Sequence, residues 1–264
     1  MIDTLDADAV RAGLESIVGR AWGAPIVAKP ETGSTSDDVK SLAREGAAPG
    51  TLVVADTQTK GRGRSGAVWH SPPGGNVYLS LLLRPTVRPM DVAPFTLVVG
   101  AVVRQVAARR VSAAVGVKWP NDVYCGDKKL AGILVEGQVR GDVLSSIVVD
   151  IGINVRVSSF PPPLDATATS LALAGAAAAG LDRCALVAEV VAGVDAAAER
   201  FVRDGFGAFV EEVRAHDVLV GRRVSVNGAS GVARGIDAGG ALALEIDDGS
   251  VIYVATGHVE MATR

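Results

Sequence analysis

The sequence predicts an α/β protein, in the broad sense that includes α+β, with a mixed-sheet body and a small all-β unit at its C-terminal end. Two observations carry this. Segments of helical period alternate with short apolar runs through most of the chain. From Val218 onward the texture changes to short alternating stretches separated by turn residues. A length of 264 residues suits one large domain with a small companion. The expected division is 1–216 and 217–264.

The elements follow in order. Leu5, Val10, Leu14, Ile17 and Val18 share one helical face over residues 5–18, with Asp6 and Asp8 as capping candidates. A second helix opens at Ser34-Thr35-Ser36-Asp37 and runs through Val39, Leu42 and Ala43. TLVVAD at 51–56 and NVYLSLLLR at 76–84 read as buried strands, the second ended by Pro85 and Pro89. Val92 to Arg110 carries a long helical pattern whose last turn is basic, which suits the helix dipole. VKWPNDVYC, KLAGILVEGQV and VLSSIVVDIGINV read as strands separated by the Gly-Asp pairs 126–127 and 141–142. A loop around the prolines 161–163 precedes a helix expected from about Leu181 to Ala215. Turns at 227–231, 237–240 and 247–250 then divide the C-terminal strands.

Composition narrows the class. With 48% hydrophobic and 21% charged residues the chain can bury a sizeable core. A net charge of -3 supplies no field for nucleic acid, so none is expected as a partner. Cys125 and Cys184 lie far apart without C-x-x-C spacing, which fits a reducing compartment and argues against a disulfide framework or zinc. The N-terminal residues lack the apolar core of a signal peptide, and no run reaches the ~18 apolar residues of a membrane span. A cytoplasmic protein with no membrane association is expected.

The loop QTKGRGRSGAVW, residues 58–69, is the most informative local feature. Gly61, Gly63 and Gly66 formally satisfy G-x-G-x-x-G after a strand. A dinucleotide site needs a helix to start there, facing the pyrophosphate. Pro72, Pro73, Gly74 and Gly75 follow too soon for that. What remains is a glycine-rich loop with Arg62 and Arg64 two residues apart, flanked by Lys60 and closed by Trp69. Guanidinium groups take carboxylate and phosphate oxygens through paired hydrogen bonds, so the loop suits two anions held together. Taken alone it is equally a solvated basic turn.

A second constellation is KWPND, Lys118 to Asp122, followed by DKKLAGILVE, Asp127 to Glu136. The turn combines an aromatic wall with Asn121 and Asp122, and Lys128 and Lys129 open the strand that follows. Each piece alone reads equally as a capped turn or a solvated strand edge.

Together and in order, TGSTSDD, ADTQTKGRGRSGAVWHSPPGGNVYLSLLLRP, VKWPNDVYCGDKKLAGILVE and DIGINV resemble the bacterial biotin protein ligases, as do DATATSLAL and RGIDAGGALALE. The resemblance spans roughly residues 31–260. It implies a mixed-sheet catalytic domain of the biotin/lipoate ligase type over 1–216 and an SH3-like β-barrel over 217–264. It implies an enzyme that uses ATP and Mg²⁺ to form biotinyl-5′-AMP and passes biotin to a lysine of the biotin carboxyl carrier domain of acyl-CoA carboxylases. A monomer or weak homodimer is expected.

Residue by residue, the resemblance places Ser34, Thr35, Ser36 and Gln58 at biotin, with Ser36 where asparagine is more usual. Arg62, Gly63 and Arg64 match the loop that folds over biotin and the adenylate, and Trp69 the tryptophan near adenine. Asn121 and Asp122 match the pair near the phosphates and metal, and Asp122 is a candidate to orient the attacking amine. Lys129 matches the lysine that bridges the biotin carboxylate and α-phosphate. Gly152 and Asn154 match the strand on the adenine side, and Leu130–Val135 is expected beside the valerate chain. The C-terminal unit is expected to support ATP or carrier engagement without furnishing the biotin pocket. Ser65 and Ala67 stand where the family often has arginines, and Asp150 where glycine or alanine is frequent. Fewer residues precede Gly33 than a winged helix-turn-helix needs, so a repressor role is not expected. Rival readings are a lipoate or octanoate ligase and a biotin-sensing regulator without turnover.

Overall fold

The computed structural model describes residues 4–261. Helix α1 (Ala7–Val18) starts at Asp6, whose carboxylate accepts from the Ala9 N–H at 2.8 Å, and stops at Gly19, whose φ of 68° reverses the chain. Only Val10 and Leu14 of its apolar residues are fully buried; Ile17 is 51% exposed, so the buried face is narrower than the sequence pattern. After β1 (Ile26–Lys29), helix α2 (Thr35–Arg44) begins at Ser34, as expected.

Strands β2 (Leu52–Ala55) and β3 (Asn76–Leu83) lead to α3 (Val92–Ala108). Then come β4 (Val115–Lys118), β5 (Asp122–Cys125), β6 (Lys128–Arg140) and β7 (Val143–Asn154), turning at the two predicted Gly-Asp pairs. These seven strands form one mixed sheet in the order β1-β2-β3-β7-β6-β5-β4, parallel only between β1 and β2.

The sheet is covered unequally. Val77, Leu79 and Leu81 of β3 and Val149, Ile151 and Ile153 of β7 join α1, α3 and α5 (Arg183–Asp204) in the main core. The opposite face meets α2, and its apolar cluster is small: Val39, Val53, Leu82 and Val148. With α3 preceded by its short turn, Pro89–Ala108 is long and apolar enough to cross a membrane by length and composition. Phe95, Leu97, Val98 and Val99 instead pack in this core.

Three expectations change. The segment VKWPNDVYC, expected as one strand, reverses at residues 119–121 into the antiparallel pair β4 and β5, with Lys118 opposite Asp122. The helix predicted over 181–215 is broken at Gly205, with a φ of 68°, into α5 and α6 (Val210–Ala215), because the chain turns there to pack Phe206 and Phe209. The basic residues assigned to the last turn of α3 lie mostly beyond it. Arg110 donates to the Val106 carbonyl at 2.8 Å, and Arg109 and Arg110 pair with Glu189 of α5. A four-residue helix, α4 (Leu164–Thr167), interrupts the loop after the proline cluster.

The C-terminal unit is a five-stranded antiparallel sheet of β8 (Arg223–Val226), β9 (Ala229–Ile236), β10 (Leu242–Ile246), β11 (Val251–Val254) and β12 (Val259–Met261), in the order β11-β10-β9-β8-β12. Asn227 and Gly228, with φ of 52° and 83°, make the two-residue hairpin turn between β8 and β9. This unit is not loosely appended. Leu219, Val224, Leu242 and Leu244 belong to the same apolar cluster as the body. The buried Lys118 ammonium donates to the Val259 carbonyl at 3.0 Å, and the Trp119 indole to the Gly240 carbonyl at 3.0 Å.

Candidate active site

The α2 face of the sheet is also the floor of a cavity, and the strand registers lay that floor out. One row across four strands reads Tyr78, Gly152, Gly132 and Asp122. A neighbouring row reads Val53, Ser80, Asp150 and Leu134. Directly opposed residues share a face, so both rows look toward α2. The two glycines leave room: a Cβ on Gly152 would lie 2.5 Å from the Trp69 ring and one on Gly132 would lie 2.8 Å from it. The indole thus rests flat on a glycine pair, and only glycine at both positions admits it.

The start of α2 forms one wall. Ser34, Thr35 and Ser36 line the cavity and are nearly fully buried. Gln58, also lining it, is held from both ends: Oε1 accepts from the Thr35 backbone N–H at 3.0 Å and hydroxyl at 3.2 Å, and Nε2 donates to Ser71 Oγ at 3.2 Å. Thr35 in turn meets Ser80 Oγ at 2.8 Å, and Ser80 Oγ reaches Asp150 Oδ1 at 2.6 Å. A continuous polar chain therefore runs from Gln58 to Asp150 along one end.

The glycine–arginine loop closes over the other end as a small hairpin: Trp69 N–H donates to the Gly61 carbonyl and Gly63 N–H to the Ala67 carbonyl. No α-helix starts there, as the prolines require; only a single tight turn forms at Arg64–Gly66. Arg62 lines the rim and pairs with Asp37 at 2.5 Å, both about half exposed. Arg64 goes deeper. Its guanidinium donates to Thr256 Oγ1 at 3.0 Å and the Gly257 carbonyl at 3.2 Å, and lies 3.4 Å from Asn121 Oδ1. Burial lowers its pKa, and the Asp122 carboxylate opposes that shift. Lys129 sets its ammonium 2.7 Å from Asp122 Oδ1 and 5.2 Å from the centre of the Trp69 ring. One end of the cavity is thus cationic and aromatic; the other is built of hydroxyls, an amide and a carboxyl group.

Residues 30–154 match the model of the biotin/lipoate A/B protein ligase family. The chain is 34% identical over 251 residues to the bifunctional ligase/repressor BirA of Bacillus subtilis, covering 93% of this chain and 76% of that one. It is 32% identical over 239 residues to the biotin--[acetyl-CoA-carboxylase] ligase of Mycobacterium tuberculosis, covering 87% and 86%. The fold is similar to a biotin protein ligase from Aquifex aeolicus in complex with biotin and ATP, with a TM-score of 0.75, 26% identity, and 90% and 99% of the two chains covered.

The chain belongs to the biotin protein ligase family. In this family member the fold gathers Ser34, Thr35, Ser36, Gln58, Arg62, Gly63, Arg64, Trp69, Asn121, Asp122, Lys129 and Gly152 around one cavity.

Asn154 is the exception. It is buried away from the cavity, accepting from Asn76 Nδ2 at 3.3 Å and donating to the Thr169 carbonyl at 2.9 Å, so its amide closes the β3–β7 end of the ligase sheet. The aromatic wall expected from KWPND is corrected as well: Trp119 is 2% exposed, with its indole bonded to the C-terminal unit. Of the apolar strand beside the expected valerate chain, Leu134 faces the cavity, whereas Leu130, Ala131 and the side chain of Ile133, whose strand position borders the cavity, pack in the core. The C-terminal unit also contributes more than expected. His258 lines the cavity, and Thr256 and Gly257 hold Arg64. No sequence spacing connects residue 64 to residues 256–258; only the packing of the two sheets does. Tyr78 and Asp150 also line the cavity without being assigned from the sequence, although the departure of Asp150 from the family pattern marked it.

Proposed function

We propose that the chain is an ATP-dependent biotin protein ligase that forms biotinyl-5′-AMP and transfers biotin to a lysine of the biotin carboxyl carrier domain of an acyl-CoA carboxylase. The observation that carries this reading is the polarity of one cavity: a hydroxyl and amide end joined past apolar Leu134 to an end holding Lys129, Arg64 and Trp69. Biotin has that pattern, with a cyclic urea, an aliphatic chain and a carboxylate. The Aquifex relative's complex with biotin and ATP supports the same assignment.

In the first step a carboxylate oxygen of biotin attacks the α-phosphorus of ATP. The new C–O–P mixed anhydride forms as the bond to pyrophosphate breaks. Two anions must meet, so cations at the reacting centre lower the barrier chiefly by charge stabilisation and positioning. Lys129 lies where it can touch both oxygens, and Arg64 can cover the phosphate while its other hydrogen bonds anchor the loop on Thr256 and Gly257. Ser34, Thr35, Ser36 and Gln58 satisfy the urea, which is costly to bury without partners. In the second step the uncharged amine of the carrier lysine attacks the acyl carbon, AMP leaves, and the amine loses its proton. Asp122 stands close enough to Lys129 to orient that amine as the pair reorganises.

Among the described residues, no three His, Cys, Asp or Glu side chains cluster as a metal cage. A Mg²⁺ ion fits this arrangement only in the way common to nucleotide sites, through one carboxylate, here Asp122, and oxygens of the triphosphate. Bound so, it would neutralise charge on the leaving pyrophosphate.

The decisive experiment incubates the protein with labelled biotin, ATP, Mg²⁺ and a purified carrier domain. Label on the carrier's acceptor lysine that requires ATP supports the reading. Label only with lipoate or octanoate, or biotin binding without transfer, overturns it in favour of the other acyl ligases or of a sensing protein.

A further inference from the structure

His258 comes to the cavity wall from the C-terminal unit, and the residues on either side fix its place. Before it, the Gly257 carbonyl accepts from Arg64 at 3.2 Å, and the Thr256 carbonyl accepts from Asn227 Nδ2 at 2.7 Å. A Cβ on Gly257 would lie 2.6 Å from Val226 and 2.7 Å from Asn227, so only glycine passes there. After it, the Val259 carbonyl accepts from the buried Lys118 ammonium at 3.0 Å, and Val259 pairs with Val226 of β8. Two cations of the body thus grip the backbone on both sides of an exposed imidazole at the mouth of the cavity.

This end of the cavity needs a proton acceptor for the transfer step. Arg62, Arg64 and Lys129 line it, with Lys118 buried nearby. Cations suit the first step, in which two anions meet. In the second step the attacking nitrogen must shed a proton, which cations cannot take. Asp122, the carboxylate at this end, is already paired with Lys129 at 2.7 Å. Asp150 belongs to the opposite end, bonded to Ser80 at 2.6 Å, and burial pushes the Tyr78 phenol far up, so that it keeps its proton. An imidazole, by contrast, exchanges a proton between about pH 5 and 8. We propose that His258 accepts the proton released in the transfer step, a catalytic residue supplied by the C-terminal unit. The inference rests on the ligase reading and says where the proton of its second step goes. As the amine nitrogen bonds to the acyl carbon, the bond from that carbon to the phosphate oxygen breaks and AMP leaves with its electron pair. The proton displaced from nitrogen passes to the uncharged imidazole, and the imidazolium then gives it to water at the mouth. The charged groups on the elements around this ring are Arg62 and Arg64 of the loop, Lys118 and Asp122 of β4 and β5, Lys129 of β6, and Glu260 of its own strand.

The test loads the protein with biotin, ATP and Mg²⁺, mixes it with a purified carrier domain, and follows a single turnover of transfer. Wild type, His258→Gln and His258→Ala are compared, and pyrophosphate exchange follows adenylate formation separately. The imidazole is exposed and the grips on this segment are made by backbone carbonyls, so both variants keep them. Near pH 8 transfer should slow at least about tenfold in both, less than for an enclosed base because solvent reaches the mouth. Adenylate formation should fall much less. The gap in transfer should narrow toward about pH 5.5, where a protonated imidazole can no longer accept. Free imidazole should restore part of the rate to His258→Ala and leave wild type unchanged; a merely structural role would show neither effect. A smaller loss, a gap that stays constant with pH, or no rescue overturns the inference alone. So do equal losses in the two steps, which would make His258 a phosphate contact. A wild type that forms no biotinyl-AMP or never labels the carrier overturns the ligase reading and this inference with it.

Discussion

Lys129 and Asp122 form an ion pair at 2.7 Å, across the row of the sheet that carries Gly132. The neighbouring lysine has a different fate. Lys128 is exposed and donates to the Asp165 carbonyl at 2.8 Å, outside the cavity. Lys129→Ala should therefore cripple adenylate formation, while Lys128→Ala should leave it nearly intact. Loss of a charged group at the reacting centre costs about 2.7–4 kcal/mol of barrier, roughly a hundred- to a thousandfold in rate. A pyrophosphate-exchange assay compares the two directly, and equal losses would remove Lys129 from its role.

Arg64 ties the glycine–arginine loop to the C-terminal unit through Thr256 and Gly257. Arg64→Gly should open that closure and let the mixed anhydride escape before the carrier arrives. The expected result is a shorter lifetime of bound biotinyl-AMP and label on bystander lysines. Thr256→Ala, which removes one of these hydrogen bonds, should show a weaker form of the same effect. A variant lacking Arg64 that retains the intermediate as long as wild type shows that another group is the latch.

Gly152→Ala places a Cβ 2.5 Å from the Trp69 ring. The indole cannot yield without leaving the floor of the cavity, so the substitution should cost about 1–3 kcal/mol in stability and weaken ATP binding together. Gly132→Ala, at 2.8 Å, should act in the same direction but less. Denaturant unfolding and nucleotide titration read the two effects, and an unchanged Trp69 fluorescence would refute the packing argument.

Asp217 sits where the body joins the C-terminal unit, bridged to Val117, and burial raises its pKa to about 6. The Leu219 N–H donates to its Oδ1 at 2.9 Å, while Oδ2 is buried without a partner. The folded state therefore holds this proton more tightly than the unfolded chain, whose carboxyl titrates near 3.8. Its stabilising contribution is complete below that value and lost as pH rises through about 6. Asp217→Asn should stabilise the protein at pH 7 relative to wild type, by up to about 3 kcal/mol, and the gain should shrink at pH 4.5. A difference that does not vary with pH would show that the carboxyl is not held neutral by the fold.

Legibility followed the range of the physics. The start of α2 at Ser34 and the turns at the Gly-Asp pairs and Asn227-Gly228 were readable because capping and backbone conformation are decided within a few residues. The helix over 181–215 was misread because Gly205 looks tolerable in a helical pattern until Phe206 and Phe209 need a different direction to reach the core. The resemblance placed Asn154 by position in a motif, but its amide closes a hydrogen-bond network with Asn76 and Thr169 that no motif displays.

The sequence by itself determined the family, most of the elements and most of the wall residues of the cavity, since those depend on residue type in order along the chain. Only the tertiary structure decided which polar groups remain unsatisfied and which units share the site. Strand register put Asp150 beside Ser80 and Trp69 over two glycines. Packing of the two sheets brought Thr256, Gly257 and His258 to a loop almost two hundred residues earlier. Such relationships depend on burial and on distances across the fold, and a linear pattern carries neither.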